Sequence, residues 1–333
     1  MSSLDISIII DKIKGMIYGQ ALGDAYGLAT EFKDKQWIQA NYKNQVIPFP
    51  DFITNEHNCR WELGDWTDDT DQMICIMEMY NQHQGVNVID FAARLYRWHK
   101  KGFTELGDKG GMGIGATIYQ VLNHPNFLSQ PHDVALAITK QTGSASNGAL
   151  MRTCITSAFH INDIDKVIED TLDIAKVTHF HPKVLASCVY MTCALNDILT
   201  KGNVDVITCL EQALVFAEDK KEFYDVVTEK IGKFADVGFD SPNIIGYVFL
   251  CLKAFIIGSQ VKLDKDNLTA SFKNVLHTLI RQGGDADTNA AVCGAALGAR
   301  VGYNNLPAEW LSALPHKAWL DEKVETFIKS INW

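Results

Sequence analysis

Two carboxylates one residue apart, followed at once by a hydroxyl, stand at Asp285-Ala286-Asp287-Thr288, between an amphipathic run ending near Arg281 and the small-residue run Ala290–Arg300. An extended dipeptide step points Asp285 and Asp287 the same way, and Thr288 opens a helix beside them. Three oxygens then face one small volume. Simple helix capping is one explanation. A second stretch of the same kind lies far upstream, Trp66-Thr67-Asp68-Asp69-Thr70-Asp71. A chain carrying both either leaves them apart as caps or folds so that they meet.

The length, 333 residues, permits one large domain or two, and nearly half the residues are hydrophobic, enough for a sizeable core. The formal net charge is −10, and no basic stripe supplies the counter-ion release that nucleic acid binding needs. An anionic ligand would have to be held by backbone N–H groups, a few cations or metal. The eight cysteines form no CxxC pair and fall mostly within apolar helical runs, as small buried hydrophobes in a reducing compartment do. Ile8-Ile9-Ile10 is short and followed by Asp11, Lys12 and Lys14, unlike a signal peptide or membrane span. The chain reads as a cytoplasmic or nuclear monomer with no membrane partner.

Apolar residues at Ile6, Ile9, Ile13, Met16 and Ile17 predict a helix over residues 4–22. It runs into Gly19–Gly27, whose small residues permit close helix packing or a close ligand. Glu31 follows, and by itself reads as an exposed loop residue. Residues 33–60, with Trp37, Tyr42, Pro48 and Pro50, read as a long structured loop. A helix is predicted from Thr67 to about Gln84, with Met73, Ile76, Met77 and Tyr80 inward. Its dipole favours Asp68 and Asp69 in the first turn by about 0.3–1 kcal/mol each. Thr70 and Asp71 exceed what a dipole needs and invite a counter-cation.

Asn87 reads as the cap of the next helix. The glycine run Gly107–Thr117 and the small-residue run Thr142–Arg152 each precede a helix, the second over Ala149–Phe159. Such runs let backbone N–H groups approach an anion, although the first lacks the Gly-Lys-Ser/Thr ending of a P-loop. Arg152 reads as salt-bridged or anion-facing. His179 and His181, at the break before Pro182, read as capping or packing residues or as metal ligands. Further helices are predicted at Lys183–Thr200, Asp205–Glu218, Phe223–Val237, Asn243–Ile257, Asn267–Arg281, Asp287–Tyr303, near Pro307–Leu314 and at Lys323–Trp333. Convincing period-two alternation is absent. The reading is one all-α domain over residues 1–333, of a dozen or more helices.

If the acidic motifs converge, they supply four carboxylates and two hydroxyls with no thiolate or imidazole. That donor set favours Mg²⁺, then Mn²⁺ or Ca²⁺, over Zn²⁺, and its charge suits a pair of ions.

The set of motifs resembles the ADP-ribosylglycohydrolase family, all-α hydrolases that hold two Mg²⁺ ions and remove ADP-ribose from modified groups. The motifs that carry the likeness are Gly19–Phe32 (GQALGDAYGLATEF), Trp66–Asp71 (WTDDTD), the glycine run 110–117, Gly143–Arg152 (GSASNGALMR), Thr178-His179 and Gly283–Ala290 (GGDADTNA). The spacing Gly111-x-Gly113-x-Gly115 makes the branch acting on serine-linked and related O-linked adducts the closer likeness. The resemblance implies that Thr67, Asp68, Asp69, Asp285, Asp287 and Thr288 ligate two Mg²⁺, or Mn²⁺. It implies catalytic roles for Glu31 near the scissile bond, for Asp69, and for the loop aspartate Asp108. Gly111, Gly113, Gly115, Gly143, Ser144, Asn147 and Gly148 match contacts to diphosphate and ribose, and His179 a substrate-side histidine. Ala145 stands where some relatives place an aromatic on adenine, so either another aromatic, for instance from the 33–60 loop, replaces it or adenine is held loosely. The implied reaction is hydrolysis at the anomeric carbon of the distal ribose, with the ions on the ribose hydroxyls. A catalytically silent ADP-ribose binder or structural relative, and a helical interaction protein whose aspartates are caps or structural Ca²⁺ sites, are the alternatives.

Overall fold

Glycine recurs every fourth residue on the first helix, at Gly15, Gly19, Gly23 and Gly27, and small residues recur likewise at Ala286, Ala290, Gly294 and Gly298. In the computed structural model, which describes residues 5–229, 234–238, 245–331 and 333, these two rows face each other in antiparallel order. A Cβ at Gly15 would lie 2.2 Å from the Gly298 carbonyl oxygen, one at Gly19 2.2 Å from that of Gly294, and one at Gly23 2.0 Å from that of Ala290. The backbones pack against each other with no side chain between them.

The helices are α1 (Ile6–Gly27), α2 (Lys35–Tyr42), α3 (Asp68–His83), α4 (Val88–Lys101), α5 (Ala116–Leu122), α6 (Pro131–Thr142), α7 (Ile164–Lys176) and α8 (Pro182–Lys201). They continue with α9 (Val206–Leu214), α10 (Lys220–Thr228), α11 (Val248–Gln260), α12 (Leu268–Ile280), α13 (Ala286–Val301), α14 (Ala308–Ala313) and α15 (Lys317–Ser330). Among the described residues there is no β-strand, only an isolated bridge between Ser146 and Tyr247, so the all-α reading holds. The α1–α13 pair forms the centre of one contiguous hydrophobic core, with α3, α8, α11 and α12 packed around it. No helix among the described residues is long and apolar enough to cross a membrane.

Several local expectations differ. Residues 33–60 contain α2, whose N-cap Asp34 accepts from the Trp37 N–H and whose Ile38 and Tyr42 are buried one turn apart; that short stripe is easily lost among prolines. Leu150–Ala158 is a 3₁₀ helix rather than an α-helix. Thr153, Thr156 and Ser157 each donate a hydroxyl to the carbonyl three residues back, which tightens the turn. Helix α15 begins at Lys317, earlier than expected, because Leu320 and Val324 continue the buried stripe of Phe327 and Ile328. The expected helices at Phe223–Val237 and Asn243–Ile257 lie partly outside the described residues; inside them, α10 and α11 are helical. Seven of the eight cysteines are buried, Cys59 being exposed, and all are free thiols.

Since no side chain separates α1 from α13, Gly294→Ala would place a methyl 2.1 Å from the Gly19 carbonyl oxygen and force the helices apart. The expected loss of stability in urea denaturation is about 3 kcal/mol, whereas Gly85→Ala, with nothing within 4 Å, stays within about 0.5 kcal/mol. Equal effects from the two substitutions would contradict the close-packed pair.

Candidate functional site

The end of the glycine ladder delivers the site. Gly27 packs so tightly that a Cβ there would lie 2.3 Å from the Cα of Asp287, which brings the end of α1 against the start of α13. One turn earlier on α1, Asp24 is fully buried and bonded to the start of α3. Its carboxylate accepts from the Thr67 N–H at 3.1 Å, the Thr67 hydroxyl at 2.8 Å, the Thr70 N–H at 3.0 Å and the Thr70 hydroxyl at 2.7 Å. The two acidic motifs therefore meet. Thr67 is the N-cap of α3 and Asp285 the N-cap of α13, although the Asp285 side chain makes no cap bond.

Asp69 Oδ2 accepts from the Thr288 hydroxyl of the other motif at 3.2 Å and lies 3.0 Å from the Thr67 hydroxyl oxygen, whose one hydrogen it shares with Asp24. Carboxylate oxygens of Asp24, Asp69 and Asp287 lie within 4.8 Å of one another, as do those of Glu31, Asp285 and Asp287. Asp287 belongs to both groups. Asp69 Oδ1 and Asp287 Oδ1 are buried without any hydrogen-bond partner, which is costly for a charged oxygen unless a ligand completes it. Asp24 differs: both its oxygens are already bonded to the start of α3, so it orients Thr67 rather than offering a free lone pair.

The electrostatics point the same way. Burial, and after it the neighbouring carboxylates, push Asp68, Asp69 and Asp287 well above the ordinary aspartate range. Burial raises Asp24 to about 7 and, with Glu31 beside it, Asp285 to about 6. Hard oxygens, two orphaned lone-pair sets and mutual repulsion fit a divalent cation.

Glu31 is only 6% exposed, not the solvent-facing residue it suggests in isolation. Its Oε2 bonds to His57 Nε2 at 2.5 Å, and Arg60 donates to His57 Nδ1 at 2.7 Å. Because a guanidinium only donates, Nδ1 is unprotonated and Nε2–H donates to the Glu31 carboxylate. Phe32 and Trp61 flank the imidazole. Asp108 falls outside both oxygen groups: it is exposed, its Oδ2 accepts from the Phe103 N–H at 2.8 Å, and it lines a small cavity with Asp65, Asp71 and His316. Asp71 holds the indole N–H groups of Trp66 and Trp98.

The glycines divide into two sets. A Cβ at Gly111 would meet the Trp98 ring at 2.6 Å, and one at Gly113 would meet Asp68 Oδ1 at 2.3 Å, so neither position has room for a side chain. Gly113 also has φ +94°, a conformation only glycine adopts without strain. Gly115 and Gly143 face open space, while Gly148 backs onto Ile118 and His179. Ser144 pairs with Thr117 at 2.7 Å, and Asn147 donates to Asp285 Oδ2 at 2.7 Å, which ties this run to the acidic cluster. His179 Nε2 lies 2.9 Å from the Ser146 hydroxyl. His181 caps α8 through the Lys183 N–H. Arg152 is fully buried and bonded to the neutral acceptors Gln72, Thr178 and the Ile174 carbonyl, not to an acid as expected.

Sequence reasoning missed Asp24, His57 and Tyr247. Asp24 was legible only as a carboxylate among the small residues of α1. The Ser146–Tyr247 bridge and the bond from Val248 N to the Ala145 carbonyl bring Tyr247, at the start of α11, beside Ala145.

The ADP-ribosylglycohydrolase family model matches residues 6–332. The chain is 26% identical to ADP-ribosylarginine hydrolase Tri1 of Serratia proteamaculans, over 92% of this chain and 75% of that protein. It is 26% identical to ADP-ribosyl-[dinitrogen reductase] glycohydrolase of Rhodospirillum rubrum, over 96% of this chain and 93% of that one. A solved structure, an ADP-ribosylglycohydrolase-related protein complex, shares the fold with a TM-score of 0.66 at 23% identity, covering 97% of this chain and 99% of that one.

The raised carboxylates set a pH dependence. Where the folded pKa exceeds the unfolded one, the metal-free folded protein keeps protons that the unfolded chain has released, so stability falls as pH rises from about 4 to 7. Asp24 at about 7 and Asp285 at about 6 carry that window. Metal-free protein should melt higher at about pH 5.5 than at pH 7.5, and saturating Mg²⁺ should raise the melting temperature most at pH 7.5. A metal-free melting temperature that rises with pH over this range would contradict the cluster.

Proposed function

The chain belongs to the ADP-ribosylglycohydrolase family, a family of enzymes, and from that premise we propose that it hydrolyses the glycosidic bond between the distal ribose of ADP-ribose and a modified acceptor. The observation that carries the reading is the convergence of both acidic motifs in one buried cluster with two orphaned carboxylate oxygens, Asp69 Oδ1 and Asp287 Oδ1. Asp68, Asp69, Asp285 and Asp287, with the hydroxyls of Thr67 and Thr288, would hold a pair of Mg²⁺ or Mn²⁺ ions. When bound, such ions supply Lewis acidity and fix the ribose hydroxyls.

The chain's own groups do the rest. Glu31 sits beside Asp285 and Asp287 with Oε2 held by His57; it is the group placed to accept a proton at the scissile bond. Gly115, Gly143, Ser144, Asn147, Gly148 and His179 would line the ADP-ribose, and Tyr247 offers a ring for adenine. Gly111 and Gly113 support this lining from behind. Asp108, exposed and bonded to Phe103, is left without a proton-transfer role. The glycine spacing favours an O-linked acceptor. The two relatives named above take their names from arginine-linked and dinitrogen-reductase-linked substrates.

A panel of serine-linked, arginine-linked and O-acetyl ADP-ribose, assayed with Mg²⁺ and with EDTA, tests the reading. At least one linkage should be cleaved with Mg²⁺ and spared with EDTA; tight ADP-ribose binding without cleavage of any would make the chain a binder. Asp68→Ala and Asp285→Ala should abolish turnover. Glu31→Gln keeps size and should lower kcat by about 10²–10⁴-fold with ADP-ribose affinity unchanged. An undiminished kcat for Glu31→Gln would remove it from the mechanism.

A further inference from the structure

An acidic chain that is to hold a diphosphate needs donors, yet beside the open faces of Gly115 and Gly143 stand the hydroxyls of Thr117, Ser144 and Ser146, which can point either hydrogens or lone pairs at a ligand. Arg152 decides which. It is fully buried, lies over the Phe91 ring, and its guanidinium bonds in two directions. On one side it donates to Gln72 Oε1 at 2.8 Å, and Gln72 Nε2 donates to Asp68 Oδ2 at 2.8 Å. On the other it donates to the Thr178 hydroxyl at 2.7 Å.

The proton positions beyond Thr178 follow by elimination. Thr178 Oγ1 lies 2.7 Å from His179 Nδ1 and its other partner is Arg152, which cannot accept. The Thr178 hydrogen therefore points at Nδ1, leaving the neutral imidazole protonated on Nε2. Nε2–H donates to Ser146 Oγ at 2.9 Å, Ser146 donates to Thr117 Oγ1 at 3.1 Å, and Thr117 donates to Ser144 Oγ at 2.7 Å. The last hydrogen in the chain is that of Ser144, half-buried beside the open faces of Gly115 and Gly143.

We propose that Arg152 is a remote positioning residue: through Thr178, His179, Ser146 and Thr117 it orders a one-way hydrogen-bond relay that leaves a hydroxyl donor facing the phosphates of the nucleotide, while through Gln72 it fixes the carboxylate of Asp68. The inference rests on the reading of this region as an ADP-ribose site. It explains how a chain of net charge −10 favours an anion without exposing a cation to it: the guanidinium stays in the core and only the polarity of the relay reaches the surface. Were His179 protonated on Nδ1 instead, the relay would reverse and would meet phosphate oxygens with lone pairs. The imidazole is kept neutral by its burial and by Arg152 nearby, which push its pKa down to about 3.

Two measurements test this. In ¹⁵N-labelled wild-type protein, with His179 assigned by loss of its signals in His179→Gln, long-range ¹H–¹⁵N spectra near neutral pH should show a protonated Nε2 and a bare Nδ1. A protonated Nδ1 overturns the relay before any ligand is added. Thr178→Val keeps shape and removes the hydroxyl link; it should blur the His179 tautomer and weaken ADP-ribose binding by calorimetry about ten-fold, the scale of one hydrogen bond. Thr178→Ser should restore both. ADP-ribose affinity equal to wild type in a folded Thr178→Val protein overturns the inference while leaving the functional reading intact. Wild-type protein with the expected tautomer but no ADP-ribose binding overturns the functional reading and the anion-facing role with it.

Discussion

The contact on which the rest of this protein depends is the side-chain-free packing of α1 on α13. Four glycines on one helix and a row of glycine and alanine on the other let two backbones approach until a single methyl would clash. The reward is positional. At that separation Asp24 reaches the start of α3, Asp287 lies under Gly27, and two helix N-termini, each carrying carboxylates, point into one volume. Wider spacing would leave the same residues as ordinary caps on separate helices.

The cost is equally local. Burying so many carboxylates without a paired cation raises their pKa values and leaves two oxygens unpartnered, an arrangement that stability alone would not favour. Such strain is characteristic of functional sites. The protein meets it partly with neutral donors, the Thr67, Thr70 and Thr288 hydroxyls and the amides of Gln72 and Asn147. Divalent ions would meet the remainder. Among the described residues, the buried guanidinium of Arg152 reaches Asp68 through Gln72, so it orients the cluster without neutralising it.

Much of this was legible in the sequence, and what was not has identifiable causes. Helical periodicity sufficed for the all-α class, and the two acidic motifs were visible because carboxylate density at a helix start exceeds what a dipole explains. Glu31 was readable only through the family likeness, since its partner His57 lies in a loop without period. The steric need for glycine at Gly111 and Gly113, against Trp98 and Asp68, is not legible in one dimension, where it looks like a glycine needed against phosphate. Asp24, a carboxylate in the last turn of α1, has no local signature; its meaning comes from the threonines of α3. Arg152 does not pair with an acid, the common fate of a buried arginine, because its neutral partners come from two distant segments, Gln72 of α3 and the end of α7 at Ile174 and Thr178.

On the proposed function, the α1–α13 contact assembles a carboxylate site for two ions from motifs far apart in the chain. Electron paramagnetic resonance of metal-free protein titrated with Mn²⁺ tests it most directly. The expected result is a pair of bound ions about 3.5–4 Å apart, seen as an exchange-coupled spectrum that disappears in Asp287→Ala. Binding of isolated ions only, or a coupled spectrum that survives Asp287→Ala, would contradict it.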